Sequence, residues 1–278
     1  MSKEHEEADH LQSHREYFRE VVRKIHQISA QSFGLSQVSV HPLGSGGSRL
    51  SIPVKITGTD GNGKSTKLFG KILGNADIMT ARTIQTVKNL YLQMNAHDPM
   101  FDFARDTRDM ALHQYSTMKA IYNLGIPTAK PLGCYQLNDV LWLLVYEFLD
   151  ARPVTDIGRM SLEQIDEVFG WLKLMHKKGI HHGDIKPDNV MLGDKLYILD
   201  VGRYLEEAPQ SQKQAYDLAC QIASFLPFQP ADKIVSVARR HYSKEDMRAA
   251  SEYLDLIQRR MDLKFNDETK SELLRLMQ

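Results

Sequence analysis

The spacing of apolar residues changes character twice along this chain, and that order limits the folds open to it. Residues 1 to about 33 begin polar and carry Leu11, Phe18, Val21, Val22, Ile25 and Ile28 at helical spacing. From residue 38 the runs "VSVHPL", "LSIPVKIT" and "TKLFGKIL" are short, β-like and separated by glycine-rich segments, which predicts three antiparallel strands. Helical periodicity then returns. "ADIMTARTIQTVKNLYLQMN" places Ile78, Ala81, Ile84, Val87, Leu90, Tyr91 and Met94 on one side. "RDTRDMALHQYSTMKAIYNLG" does the same with Met110, Tyr115, Met118, Ile121 and Tyr122, and Gly125 is a natural stop. "LWLLVYEFL" at 141–149 is an apolar run of strand length. Ser161 and Gln164 form an S-x-x-Q capping box ahead of a helix that closes at Gly179, and Ser243 with Asp246 is a second cap in a helical remainder. A helix, then strands, then mostly helices is neither the alternating order of a parallel sheet nor an all-β pattern. It predicts an α+β chain, with a small β-rich lobe followed by a helical one.

Composition narrows the function classes. Lys plus Arg equals Asp plus Glu at 35 each, so no global field directs the chain to nucleic acid or an anionic membrane. Cys134 and Cys220 stand far apart with no C-x-x-C spacing, which argues against a disulfide framework or a zinc site and fits a reducing compartment. The first residues are acidic and polar, and no apolar stretch approaches the roughly 18 residues of a membrane span. The expected location is the cytoplasm.

"GTDGNGKS" at 58–65 is a literal match to the phosphate-loop pattern G-x-x-x-x-G-K-[ST]. Such a loop works only if a helix begins at its Lys-Ser, so that backbone N–H groups and the helix dipole face the phosphates. Gly70 and Gly74 disfavour a helix there, whereas Asp60-Gly61-Asn62-Gly63 is hairpin-turn chemistry. The stretch is therefore expected to be the tip of a β-hairpin.

A second constellation carries more information. "IHHGDIKPDNVML" at 180–192 sets His182, Asp184, Lys186 and Asn189 at the spacing H-x-D-x-K-x-x-N. Sixteen residues after Asp184, Asp200 opens a D-x-G triplet at a strand end in "ILDVGRY". These stretches resemble the catalytic loop and the D-F-G of the protein-kinase superfamily. The resemblance runs over roughly residues 38–226. "PLGSGGSRL" resembles the glycine-rich loop, with Gly44 and Gly46 at its first two glycines and Arg49 where the third would stand. "FGKIL" supplies Lys71 as the strand lysine, "LVYEFL" resembles the hinge between lobes, and "QAYDLACQIASFL" resembles the helix whose aspartate, here Asp217, ties down the catalytic-loop backbone.

The resemblance implies a bilobal protein-kinase-like fold with an extra N-terminal helix. Its parts would be a polar segment and helix over 1–35, a β-rich N-lobe over 36–146 and a helical C-lobe over 147–278. It implies an ATP-dependent phosphotransferase that uses Mg²⁺ and passes the γ-phosphoryl group to a hydroxyl of a protein, small-molecule or lipid acceptor. Asp184 would meet the acceptor hydroxyl and Lys186 would lie near the transferred group. Asn189 and Asp200 would hold the metal, Lys71 would grip the α- and β-phosphates, and backbone groups of Glu147 to Leu149 would bond adenine. His182 is expected to brace the loop.

Several positions depart from the usual pattern. Gln114 stands where the helix glutamate that pairs with the strand lysine is expected, and no other acid is an evident substitute. Asp217 follows Asp200 by only 17 positions and no A-P-E motif occurs, so a peptide-docking activation segment does not fit. Gly183 replaces the usual arginine. These features resemble the atypical branches: aminoglycoside-phosphotransferase-like, lipopolysaccharide-kinase-like and RIO-like kinases. They also motivate the alternative of a pseudokinase, a nucleotide-binding or scaffolding module without turnover. The acceptor, the oligomeric state and any regulator are not legible in the sequence.

Overall fold

The computed structural model describes residues 3–44 and 51–278, with side chains of the first helix described from residue 16. Gly46 and Arg49, and the side chain of Leu11, lie outside the described residues. In chain order the elements are α1 (Lys3–Phe33), β1 (Ser36–Pro42), β2 (Ile52–Thr59), β3 (Ser65–Leu73), α2 (Asn75–Met94) and α3 (Thr107–Asn123). They continue with β4 (Pro131–Gln136), β5 (Trp142–Glu147), β6 (Arg152–Pro153), α4 (Val154–Ile157) and α5 (Leu162–Lys177). After a 3-10 turn at Pro187–Asn189 come β7 (Val190–Leu192), β8 (Leu196–Ile198), α6 (Gln210–Phe225), α7 (Ala231–Ala238), α8 (Lys244–Ser251), α9 (Leu254–Gln258) and α10 (Asp267–Leu276). They divide into two compact units. One comprises Met1–Ile78, Asp106–Ala111 and Pro131–Phe148; the other comprises Met79–Arg105, Leu112–Lys130 and Leu149–Gln278.

The first unit is an antiparallel sheet in the order β1-β2-β3-β5-β4 with α1 packed on one face. Val54 and Ile56 of β2, Leu68 and Ile72 of β3, and Leu143 and Val145 of β5 alternate inward, as a half-buried strand requires. Val21, Ile25 and Ile28 of α1 cover them. Each such side chain, fully buried, contributes about 1.5–3 kcal/mol of transfer free energy. Phe18 falls off this face and is exposed. Gly70 sits mid-strand because the sheet leaves it no room: a Cβ there would meet Val54 Cγ2 at 2.7 Å.

The phosphate-loop match is a hairpin tip. β2 and β3 pair in unbroken register from Ile52 with Ile72 to Thr59 with Ser65. Between them Asp60 Oδ1 accepts hydrogen bonds from the Asn62 and Lys64 N–H groups, both at 2.9 Å, and Gly63 adopts φ +77°. No helix begins at Lys64.

The second unit is mostly helical around α5 and α6, with a three-stranded sheet β6-β7-β8 beside them. Both predicted capping boxes are present, Ser161 with Gln164 and Ser243 with Asp246, and Gly179 takes the left-handed φ of +70° that ends α5. Helix α3 buries Met110, Met118 and Ile121, whereas Tyr122 is exposed. In α2 the apolar side read from the sequence divides. Ile78 is buried, but Ile84, Val87, Leu90 and Met94 are exposed, and Asn89 and Leu92 turn inward instead. The polar Asn89 is tolerated inside because its amide donates to Phe101 O at 2.8 Å and accepts from the N–H groups of Met100 and Phe101.

Candidate active site

The 180–192 stretch forms a loop whose backbone is held from below. Asp217, wholly buried on α6, accepts hydrogen bonds from His182 N at 2.7 Å, Gly183 N at 2.9 Å and the Tyr204 hydroxyl at 2.7 Å. Burial opposes its charge, but the neighbouring His176, then His182 and the Tyr204 hydroxyl, hold its carboxyl below the usual range. His182 is fully buried, and its Nδ1 accepts weakly from Asp184 N at 3.4 Å, within the loop backbone.

Gly183 has a local cause. It adopts φ +75°, and a Cβ on it would meet the carbonyl carbon of Gly202 at 3.0 Å, while a Cβ on Gly202 would meet Gly183 O at 2.5 Å. The two backbones touch, with Gly202 N donating to His182 O at 2.7 Å. An arginine at 183 would bring both a left-handed penalty and a collision.

Asp184 is the centre of a charged cluster. Lys186 Nζ lies 3.0 Å from its Oδ2, and Asn189 Nδ2 donates to its backbone carbonyl at 2.7 Å. Arg260, beyond the end of α9, reaches its Oδ1 at 3.2 Å. The same guanidinium grips Asp262 through Nε at 2.9 Å and Nη2 at 2.7 Å, and its Nη1 donates to the Tyr216 hydroxyl at 3.2 Å. Burial works against the Asp184 charge, but Lys186, Arg260 and Lys88 outweigh it and hold the carboxyl well below the usual range. Lys88 of α2 feels the reverse: burial first, then the Arg260 charge, pushes its ammonium down to about 8. Neither Arg260 nor Lys88 was found by sequence reasoning, since neither belongs to a motif. The acid–base pattern "RRMD" at 259–262 is too common a signal to single out.

The oxygen donors suit a hard divalent ion. Asn189 spends its amide NH₂ on the Asp184 carbonyl, an atom that only accepts, which leaves its Oδ1 as the ligating end. Asp200 follows β8 and carries a left-handed φ of +51°, a conformation aspartate tolerates better than most residues. A carboxylate and an amide oxygen fit Mg²⁺ or Ca²⁺ chemistry.

In the first unit Lys71 is buried on β3. Close to it is Asp77, a buried acid in the first turn of α2 whose Oδ2 accepts from Gly74 N at 2.5 Å. Burial raises the Asp77 carboxyl pKa, and the Gly74 bond and the Lys71 charge pull it back in part. Lys71 therefore has a nearby acid that the sequence comparison with helix glutamates overlooked. Gly44 is exposed just past β1, Glu147 is exposed at the end of β5, and Leu149 is half-buried two residues on. Gln114 is half-buried on α3.

Solved structures share this fold across nearly the whole chain. An amicoumacin kinase in complex with AMP-PNP, Ca²⁺ and Ami superposes with a TM-score of 0.54 at 13% identity, covering 95% of this chain and 94% of that one. A putative fructosamine-3-kinase from Haemophilus somnus 129PT gives 0.50 at 12% identity, covering 94% and 98%. The fold is that of the protein-kinase-like superfamily. No protein-family model matches the chain. Among curated proteins, the serine/threonine kinase PknB of Mycolicibacterium smegmatis is 22% identical over 238 residues, 68% of this chain and 37% of the relative. Serine/threonine-protein kinase D of Synechocystis is 35% identical over 81 residues, 28% of this chain and 15% of the relative. The kinase-like chain thus spans well under half the length of these relatives.

Proposed function

We propose that this kinase-like protein is an ATP-dependent phosphotransferase that moves the γ-phosphoryl group to a hydroxyl acceptor. The observation that carries the reading is the convergence of Lys186 and Asn189 on Asp184 while Asp217 pins the loop backbone beneath them. Phosphoryl transfer asks for positioning and charge stabilisation more than covalent chemistry, and a rigid carboxylate held ionised suits the first need.

In this reading Asp184 accepts the proton of the acceptor hydroxyl as its oxygen bonds to the γ-phosphorus. The bond from that phosphorus to the β–γ bridging oxygen breaks, and ADP leaves. Lys186 stabilises charge on the transferred group, Lys71 binds the α- and β-phosphates, and Gly44, Gly46 and the backbone from Glu147 to Leu149 seat the nucleotide. Asn189 and Asp200 would hold Mg²⁺, which when bound offsets charge on the phosphate oxygens.

The test is a purified-protein assay with γ-labelled ATP against a panel of hydroxyl acceptors. Asp184→Asn should lower transfer on the order of a hundredfold or more, the usual contribution of a positioned base. Equal inactivity of wild type and Asp184→Asn with every acceptor, with ATP binding retained in both, replaces the enzyme with a nucleotide-binding scaffold.

A further inference from the structure

Lys88 holds its ammonium 4.7 Å from the centroid of the Phe101 ring and 5.9 Å from that of Tyr216. Among the described residues no carboxylate, carbonyl or hydroxyl lies within hydrogen-bond or ion-pair distance of that nitrogen. An ammonium has three donors, and the two ring faces attract its charge without offering a lone pair to any of them. A half-buried cation in that condition is suited to an acceptor atom supplied from outside the chain.

The placement of Lys88 is built into the fold. Its neighbour Asn89 clamps the backbone at Met100 and Phe101, which sets the Phe101 ring against the lysine. That segment is tied in turn to the chain just past Asp200, with Leu205 N donating to Met100 O at 2.8 Å and Phe101 forming an isolated bridge with Tyr204. Tyr216, the second ring near Lys88, receives a hydrogen bond from Arg260, whose other nitrogen touches Asp184. Three cations, Lys88, Lys186 and Arg260, therefore share this cluster with Asp184 and Asp262, and Asp200 acts on Lys186 beside them. Arg260 touches both Asp262 and Asp184, and Lys186 touches Asp184, so Lys88 is the one of the three cations with no carboxylate in contact among the described residues.

We propose that Lys88 lines the acceptor pocket, and that the acceptor is a small alcohol carrying a phosphate or carboxylate that docks on Lys88 while its hydroxyl faces Asp184. This rests on the phosphotransferase reading above. A small acceptor fits better than a peptide because α6 begins at Gln210, only ten residues after Asp200, which leaves no length for a peptide platform.

The experiment is titration calorimetry on the full chain saturated with AMP-PNP and Mg²⁺, so that nucleotide-site phosphates do not compete. The probes are glycerol 3-phosphate, ribose 5-phosphate, glucose 6-phosphate and gluconate, each beside its neutral parent. At least one anionic probe should bind and its neutral parent should not. Lys88→Met should weaken that binding about tenfold or more, the scale of a charge-assisted hydrogen bond, and Lys88→Arg should retain it. Thermal unfolding of both variants guards against misfolding. Binding that survives Lys88→Met in a folded protein, binding that depends on Lys71 instead, equal binding of neutral parents, no anionic binder, or a Lys88-dependent response to acidic peptides alone each overturns the inference. Labelled-ATP transfer separates the two layers. Lys88-dependent binding without transfer in the wild type removes the enzyme reading and leaves the site, whereas transfer to neutral parents as readily as to anionic ones removes the site and leaves the enzyme.

Discussion

Arg260 Nη2 donates both to Asp184 Oδ1 at 3.2 Å and to Asp262 Oδ2 at 2.7 Å, with Nε completing the fork onto Asp262, so a residue 76 positions downstream fixes the proposed base. With only 7% of its side chain exposed, Arg260 is too enclosed for water to replace it. Arg260→Met leaves two carboxylates facing each other without their cation, and the expected loss of stability is about 3 kcal/mol, the lower end for a broken buried pair. Arg260→Lys keeps the charge and loses the fork, so it should fall between the two. Urea unfolding gives the stabilities. Turnover should follow the same order, and a Met variant as stable and active as wild type would remove Arg260 from the site.

Gly183→Arg restores the residue usual in protein kinases and should harm this one. The left-handed backbone costs a non-glycine residue about 1–2 kcal/mol, and the contact with Gly202 at 3.0 Å adds a steric term. The expected outcome is a lower unfolding midpoint with reduced transfer, because the Asp200-Val201-Gly202 backbone must shift. A neutral or stabilising effect would mean the two backbones separate freely.

Acid sensitivity should appear between neutral pH and about 4. Burial pushes the His181 imidazole down from 6.5 to about 4, with Asp217 opposing that shift and His176 and Lys213 adding to it. Below its ordinary value the unfolded chain binds a proton that the folded protein refuses until about pH 4, so stability falls as pH falls through that window. Denaturant midpoints measured from pH 7 to 4 should decline, and His181→Gln should flatten the slope. An unchanged slope assigns the decline to other groups.

Signals confined to neighbouring residues were legible in the sequence. The Asp60–Lys64 turn, the Ser161 and Ser243 caps, the Gly179 stop and the Asp184–Asn189 spacing each arise within a few residues, where backbone chemistry alone decides. Asp217 was legible only through family resemblance, since its bonds to the loop span 35 and 34 positions. What failed was long-range. Helical periodicity found the apolar stripe of α2 without revealing which side packs, and the buried side is set by Asn89 hydrogen-bonding to Met100 and Phe101. Arg260 and Lys88 are ordinary surface-type residues by sequence, and only the fold brings them to Asp184.

The lysine anchor offers a direct contest between family pattern and local chemistry. The pattern puts the partner of Lys71 at Gln114, and within the first unit Asp77 lies near that lysine. Asp77→Asn keeps an oxygen to accept from Gly74 N and removes only the charge, so its effect reports on electrostatics and not on the turn. If Asp77 steadies Lys71, this variant should raise KM for ATP by about five- to tenfold, the worth of one charge-assisted contact. Gln114→Glu should change it by less than about twofold, because a lysine already provided with an acid gains little from another. Lys64→Ala, at the exposed hairpin tip, is the control and should leave ATP binding unchanged. Nucleotide titrations of the three proteins decide the matter. A several-fold gain from Gln114→Glu together with a silent Asp77→Asn would return the anchor to the helix position, and a large loss from Lys64→Ala would revive the phosphate loop.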